Sequence, residues 1–183
     1  ALGLSRPHMP YKGLIMAILI SPMIVPLIIT AAGMFFFYAR INLVYTFTGV
    51  ILAHVALATP FVVITVTATL VGFDMNMVKA AQSLGAKPMR TFFKVIMPLI
   101  LPGIISGALF AFITSFDEVV IVMFMASIDQ LTIPKQMWAG IRQEISPVIL
   151  CMATCLVLLS IFLLTTVELL RRRSEKLRGI KAR

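Results

Sequence analysis

The sequence predicts an all-α fold, a polytopic membrane helical bundle, and three observations carry that prediction. Hydrophobic residues make up 60% of the 183, against 13% charged, and the mean hydropathy is +1.03. A soluble domain carries about 25% charged residues, so this much apolar surface needs lipid as its solvent. Four apolar runs reach the roughly 20 residues a helix needs to cross a bilayer: 14–37, 47–71, 99–126 and 148–170. Barrel strands would be about half as long and would alternate. Finally, the basic residues cluster in alternate connections between the runs.

That clustering sets the expected topology. The N-terminal stretch, the 72–98 loop and the 171–183 tail together hold thirteen Lys and Arg, whereas the 38–46 and 127–147 connections hold three. Cytoplasmic loops carry the excess of positive charge. Both ends of the chain and the 72–98 loop are therefore expected in the cytoplasm, with four spans between them. The net charge of +9 is read through this topology and not as a nucleic-acid footprint. The basic tail is expected to anchor on anionic lipid, with Glu168 pairing locally to Arg171–Arg173.

Each span carries features of its own. Pro22 and Pro26 interrupt the first and Pro60 the second, and each removes a backbone donor. Thr59, Thr65, Thr67 and Thr69 are expected to supply hydroxyls to the freed carbonyls. His54, in the second span, is expected to pack or to make an interhelical hydrogen bond. Gly103 and Gly107 form a Gly-x-x-x-Gly pair suited to close helix packing. Cys151 and Cys155 lie on one helical face, as small lipid- or helix-facing residues.

The 72–98 loop reads GFDMNMVKAAQSLGAKPMRTFFKVIMP. Met77, Ala80, Ala81 and Leu84 fall on one face of a short helix. Gly85 suits a left-handed cap, and Pro88 suits the first turn of a second helix that carries Met89, Phe92, Phe93 and Ile96. Pro98 is expected to close the unit before the third span. Lys79, Lys87, Arg90 and Lys94 ring it. The pattern alone fits a docking face and a pair of interfacial helices on anionic lipid equally well.

Here the sequence resembles the permeases of binding-protein-dependent ABC importers. Their cytoplasmic loop has the form Glu-Ala-Ala, three residues, Gly, nine residues, Ile-x-Leu-Pro. This chain has Lys79-Ala80-Ala81, Gly85 and Val95-Ile96-Met97-Pro98 in that register. Lys79 departs from the pattern by reversing a charge. The resemblance implies a type I importer fold in which the loop docks a separate ATPase through Lys79, Ala80, Ala81, Leu84, Gly85, Ala86, Arg90 and Pro98. It also implies an ATPase dimer that carries the ATP and Mg, a second permease subunit, identical or homologous, and an extracytoplasmic solute-binding protein. The location implied is a bacterial-type inner membrane. Family members commonly have six spans, so two further spans are expected to precede residue 1.

Asp117 and Glu118 stand about 27 Å along the third span at 1.5 Å per residue, in the outer part of the membrane. Intramembrane carboxylates cost roughly 2.5–3.5 kcal/mol on insertion scales, so they are expected to face a wet cavity or a cation. Two readings stay open: an interfacial pair held by water or Arg142, and a cation-attracting vestibule on the translocation pathway. The stretch SFDEVVIV followed by LTIPKQMWAGIRQEISP resembles the polyamine branch of the family, with similar segments in permeases for ferric iron and phosphonates. Between Pro134 and Pro147 it reads as an amphipathic outer helix, with Trp138 as an interface anchor.

The sequence contains no Gly-x-x-x-x-Gly-Lys-Ser/Thr loop, no Cys/His set with metal-ligand spacing and no convincing Ser/His/Asp set, so no cofactor, metal or catalytic residue is assigned. The alternative function is a secondary transporter or channel subunit driven by an ion gradient, for which internally repeated broken spans are the signature.

Overall fold

The second and third spans form the axis of the molecule. In the computed structural model, which describes residues 1–6, 8–143 and 146–177 and all their side chains except those at 143, 170, 171 and 173–177, helices α1 (Lys12–Ile24), α2 (Leu27–Arg40) and α3 (Phe47–Val71) come first. The short α4 (Asn76–Ser83) and α5 (Pro88–Thr91) follow, then a π-helical turn, Phe92–Ile96, which leads into α6 (Met97–Phe116). Last are α7 (Val120–Met125), α8 (Ile133–Gln143) and α9 (Pro147–Leu177). No strand occurs among the described residues.

Helices α3 and α6 pack antiparallel, from Thr69 beside Gly103 to His54 beside Ser115. Phe61 stacks on Phe110, and His54 Nδ1 lies 2.8 Å from Ser115 Oγ. Gly103 and Gly107 let the two backbones approach. A methyl at Gly103 would collide with the Thr69 side chain, and one at Gly107 with the Thr65 hydroxyl and, at 3.1 Å, the Val62 Cα. Threonines occupy the space that the glycines leave, which is the small-residue packing the pair predicts. Thr46 starts α3 by accepting from the Gly49 N–H at 3.0 Å, as an N-cap does.

Where structure and expectation part, proline chemistry or capping is the cause. The first apolar run is not one straight span: α1 and α2 meet at 107°. Pro22 stays inside α1. Pro26 instead pushes Val25 into the extended region, at φ −72° and ψ 135°, as a proline does to its predecessor. Among the described residues, three helices are long and apolar enough to cross a membrane, or four if the bent pair counts as one. Pro98 does not close the loop unit. The helix runs unbroken from Pro88 to Phe116, and the π turn sits where Pro98 lacks a donor; the Met97 N–H reaches back five residues to Phe92 O. The third run ends early, at Phe116, with Asp117 as its C-cap. The threonines of α3 bond mainly within their own turns: Thr59 to Val55 O at 2.6 Å, Thr65 to Phe61 O at 2.8 Å and Thr69 to Thr65 O at 2.8 Å. Thr59 thus bonds one residue short of the Ala56 carbonyl that Pro60 frees, and the Thr67 hydroxyl is buried without a partner.

Two small cores flank the α3–α6 hairpin. One joins Ala31, Tyr38, Ala53, Leu57, Ile121 and Met125, and the other joins Val66, Leu70 and Ile100. Helix α9 contacts α6 and α8, yet the most apolar window of its span buries no residue. Such a helix is stable only in lipid or against further protein. Cys151 and Cys155 on it are exposed and unpaired. Glu168 bonds Arg172 at 2.8 Å, the local pair expected. Arg178, Lys181 and Arg183 of the basic tail lie outside the described residues, as do the side chains of Arg171, Arg173 and Lys176.

Candidate functional site

Two sites stand at opposite ends of the α3–α6 hairpin. The first is the loop that joins the two helices. Helix α4 ends on a complete Schellman motif: the Ala86 N–H bonds Ala81 O at 3.0 Å, and the Gly85 N–H bonds Gln82 O at 2.9 Å. Gly85 takes φ +78°, a conformation that only glycine adopts without strain. The spacing Ala81, Gly85, Ala86 is therefore the spacing of one capped turn. Thr91, almost fully buried, places its hydroxyl 3.5 Å from Ala86 O and ties the next helix to that turn.

The loop turns only one edge of α4 inward. Val78 is buried, whereas Leu84 is 89% exposed and Met75, Met77, Met89 and Phe93 are also exposed. Ala80 is exposed and Ala81 half-buried. Lys79, Lys87, Arg90 and Lys94 are all exposed. The apolar face read from the sequence thus lies open, with Pro98 half-buried at the base of the helix behind it. A soluble surface helix normally buries its apolar stripe; this one presents it.

The second site is built around α7. Glu118 is 5% exposed, and its carboxylate accepts from the Ile121 N–H at 2.9 Å and the Val122 N–H at 3.2 Å. At the other end of α7, Lys135 Nζ donates to Ala126 O at 3.2 Å. An anion at the N-terminus and a cation at the C-terminus both complement the helix dipole, and they permit six residues of helix with Ile121, Val122 and Met125 fully buried. The α2–α3 turn clips onto the same helix through the Tyr45 N–H to Met125 O, 2.9 Å.

Asp117 and Glu118 therefore do different things. Asp117 is exposed. It lines a cavity of about 510 Å³ with Phe116 and Trp138, and a second of about 640 Å³ with Pro22, Pro26 and Thr114. Glu118 reaches the latter and a third, of about 530 Å³, beside His54 and Ser115, but its oxygens are taken up by α7. Arg142 does not pair with either acid; it lies over the Trp138 ring, 5.5 Å from the centroid. The amphipathic segment expected between Pro134 and Pro147 forms α8, and residues 144–145 of it lie outside the described residues. Sequence reasoning missed both caps of α7. An acidic pair directly before Val120–Met125 was the available signal, hidden by the unbroken hydropathy of the run. No group of three or more His, Cys, Asp or Glu able to hold a metal occurs among the described residues.

Long apolar helices, a helix that only lipid or protein can cover and a structured loop with an open apolar face define the class: a multi-span membrane protein. Residues 2–176 match the family described as binding-protein-dependent transport system inner membrane component. The chain belongs to that family and is a transport permease subunit of the inner membrane. It is similar to the spermidine/putrescine transport system permease protein PotC of Haemophilus influenzae, 29% identical over 175 residues that cover 96% of this chain and 68% of the relative. Against the putrescine transport system permease protein PotI of Escherichia coli K12 it is 37% identical over 103 residues, 56% of this chain and 37% of the relative. A PotC homolog of Mycoplasma genitalium is 27% identical over 99% of this chain and 66% of its own length.

Proposed function

We propose that this permease opens its pathway alternately to the two sides of the membrane, driven by a separate ATPase dimer that hydrolyses ATP with Mg and docks on the 72–98 loop through Lys79, Ala80, Ala81, Leu84, Gly85, Ala86, Arg90 and Pro98. The observation that carries this reading is the open apolar face of α4, held by the Schellman turn in the register of the family's docking loop. Energy enters as differential docking of that face in the two conformations. The loop and the end of α9 face the cytoplasm, and α7 and α8 face the outside. A second permease subunit, identical or homologous, completes the pathway, and a soluble extracytoplasmic binding protein delivers the solute.

The solute is a polyamine or a related small cation. The names of the relatives support this, and so does Asp117, an exposed carboxylate between two cavities at the outer end. Glu118 acts there as a positioning residue that holds α7. Among rival functions, an ion-gradient transporter would work without an ATPase, and it gives no reason for the capped, exposed loop.

Purification of the native complex tests the reading. A nucleotide-binding subunit is expected to copurify, and Ala81→Glu is expected to abolish uptake with membrane insertion intact. A lone permease with full activity would sink it. For the solute, Asp117→Asn is expected to lower uptake of a labelled polyamine more than Asp129→Asn does; equal uptake removes Asp117 from the pathway.

A further inference from the structure

The docking loop has an electrostatic polarity of its own. In residues 72–98 four cations stand against one acid, Asp74, a net charge of +3. The acid is already engaged: Asp74 Oδ1 accepts from the Asn76 N–H at 2.9 Å. All four cations are exposed. Beside them stand exposed apolar side chains, Met77 on α4, Leu84 at its C-cap, and Met89 and Phe93 on the helix that follows. At the apex, Leu84 is 89% exposed, and a Cβ added to Gly85 would meet nothing within 4 Å. The unit is a convex apolar knob with a cationic collar.

We infer that the ATPase surface receiving this knob is a groove with an apolar floor and a carboxylate rim, and that Lys79 pairs with one of those carboxylates. This rests on the docking reading above and adds the sign of the interface to it. Complementary potentials set which partners are accepted, and a like charge placed opposite is rejected. A protein groove fits better than a lipid surface. The amphipathic pattern alone would also suit a lipid surface; the capped turn in the register of the family's docking loop is what favours the protein groove, and binding to lipid is an outcome of the test.

The test uses the full permease coexpressed with its ATPase and purified from membranes. Raising salt from about 0.01 M to about 1 M shortens the screening length from about 30 Å to about 3 Å, and ATPase retention is expected to fall by up to about fivefold for each exposed pair the interface makes. Lys79→Glu is expected to lower retention at low salt by about fivefold or more, and an acid-to-Lys change on the ATPase groove is expected to restore it. Lys79 is exposed, so permease yield should not change. Equal or higher retention with Lys79→Glu would overturn the carboxylate rim and leave docking intact, provided that Ala81→Glu still releases the ATPase. No ATPase at any salt, with the permease held only by anionic vesicles, would overturn the docking reading as well.

Discussion

The two ends of the α3–α6 hairpin treat charge and apolar surface in opposite ways. At the loop end, Lys79, Lys87, Arg90 and Lys94 are open, and so are Met77 and Leu84. Around α7, at the far end, two charges are engaged: Glu118 and Lys135 each bond backbone of α7, and Ile121, Val122 and Met125 are fully buried, while Asp117 beside them stays exposed. Helix α7 has its end charges and its core satisfied within this chain, while the loop keeps both its charges and its apolar side chains open. Changes in the packing and end contacts of α7 should therefore register as lost stability, and changes in the loop as lost association.

That contrast can be broken in order of effect. Glu118→Ala should cost most, because two N–H groups of α7 lose their acceptor and each buried donor left unpaired costs about 1–3 kcal/mol. Thermal unfolding of the purified permease in detergent measures it; an unchanged midpoint would remove the cap from the account. Gly107→Leu should come next, at about 1–3 kcal/mol from overpacking, since the added side chain must displace Thr65 or the Val62 backbone. Lys135→Met should cost about 0.3–1 kcal/mol, the usual worth of a charge at a helix end. Leu84→Asp should change stability least, within about 0.5 kcal/mol as for other surface changes, because Leu84 is exposed among the described residues. A Leu84→Asp loss as large as that of Glu118→Ala would erase the difference between the ends.

Legibility in the sequence followed the same division. Helix α3 begins and ends where its hydropathy does, at Phe47 and Val71, since a lipid-crossing run has little else to decide it. The loop was readable because capping is local chemistry: Gly85 and Pro88 state where one helix stops and the next begins. Breaks inside apolar runs were not readable from hydropathy. Pro26 turns the chain while Pro22, four residues earlier, does not, and the outcome depends on the packing of α1 on α3 and of α2 on α7. Asp117 and Glu118 looked alike as neighbouring intramembrane acids. Only the fold separates them, by sending the chain into α7 so that one carboxylate faces backbone donors and the other faces cavities.

On the function proposed, the 72–98 loop meets the ATPase and the α7–α8 end does not. Site-directed cross-linking in native membranes tests it directly, with Leu84→Cys at one end and Trp138→Cys at the other. A cross-link from residue 84 to the nucleotide-binding subunit is expected, with a yield that changes when ATP is added, and none from residue 138. A cross-link from residue 138, or none from residue 84 in an actively transporting membrane, would contradict it.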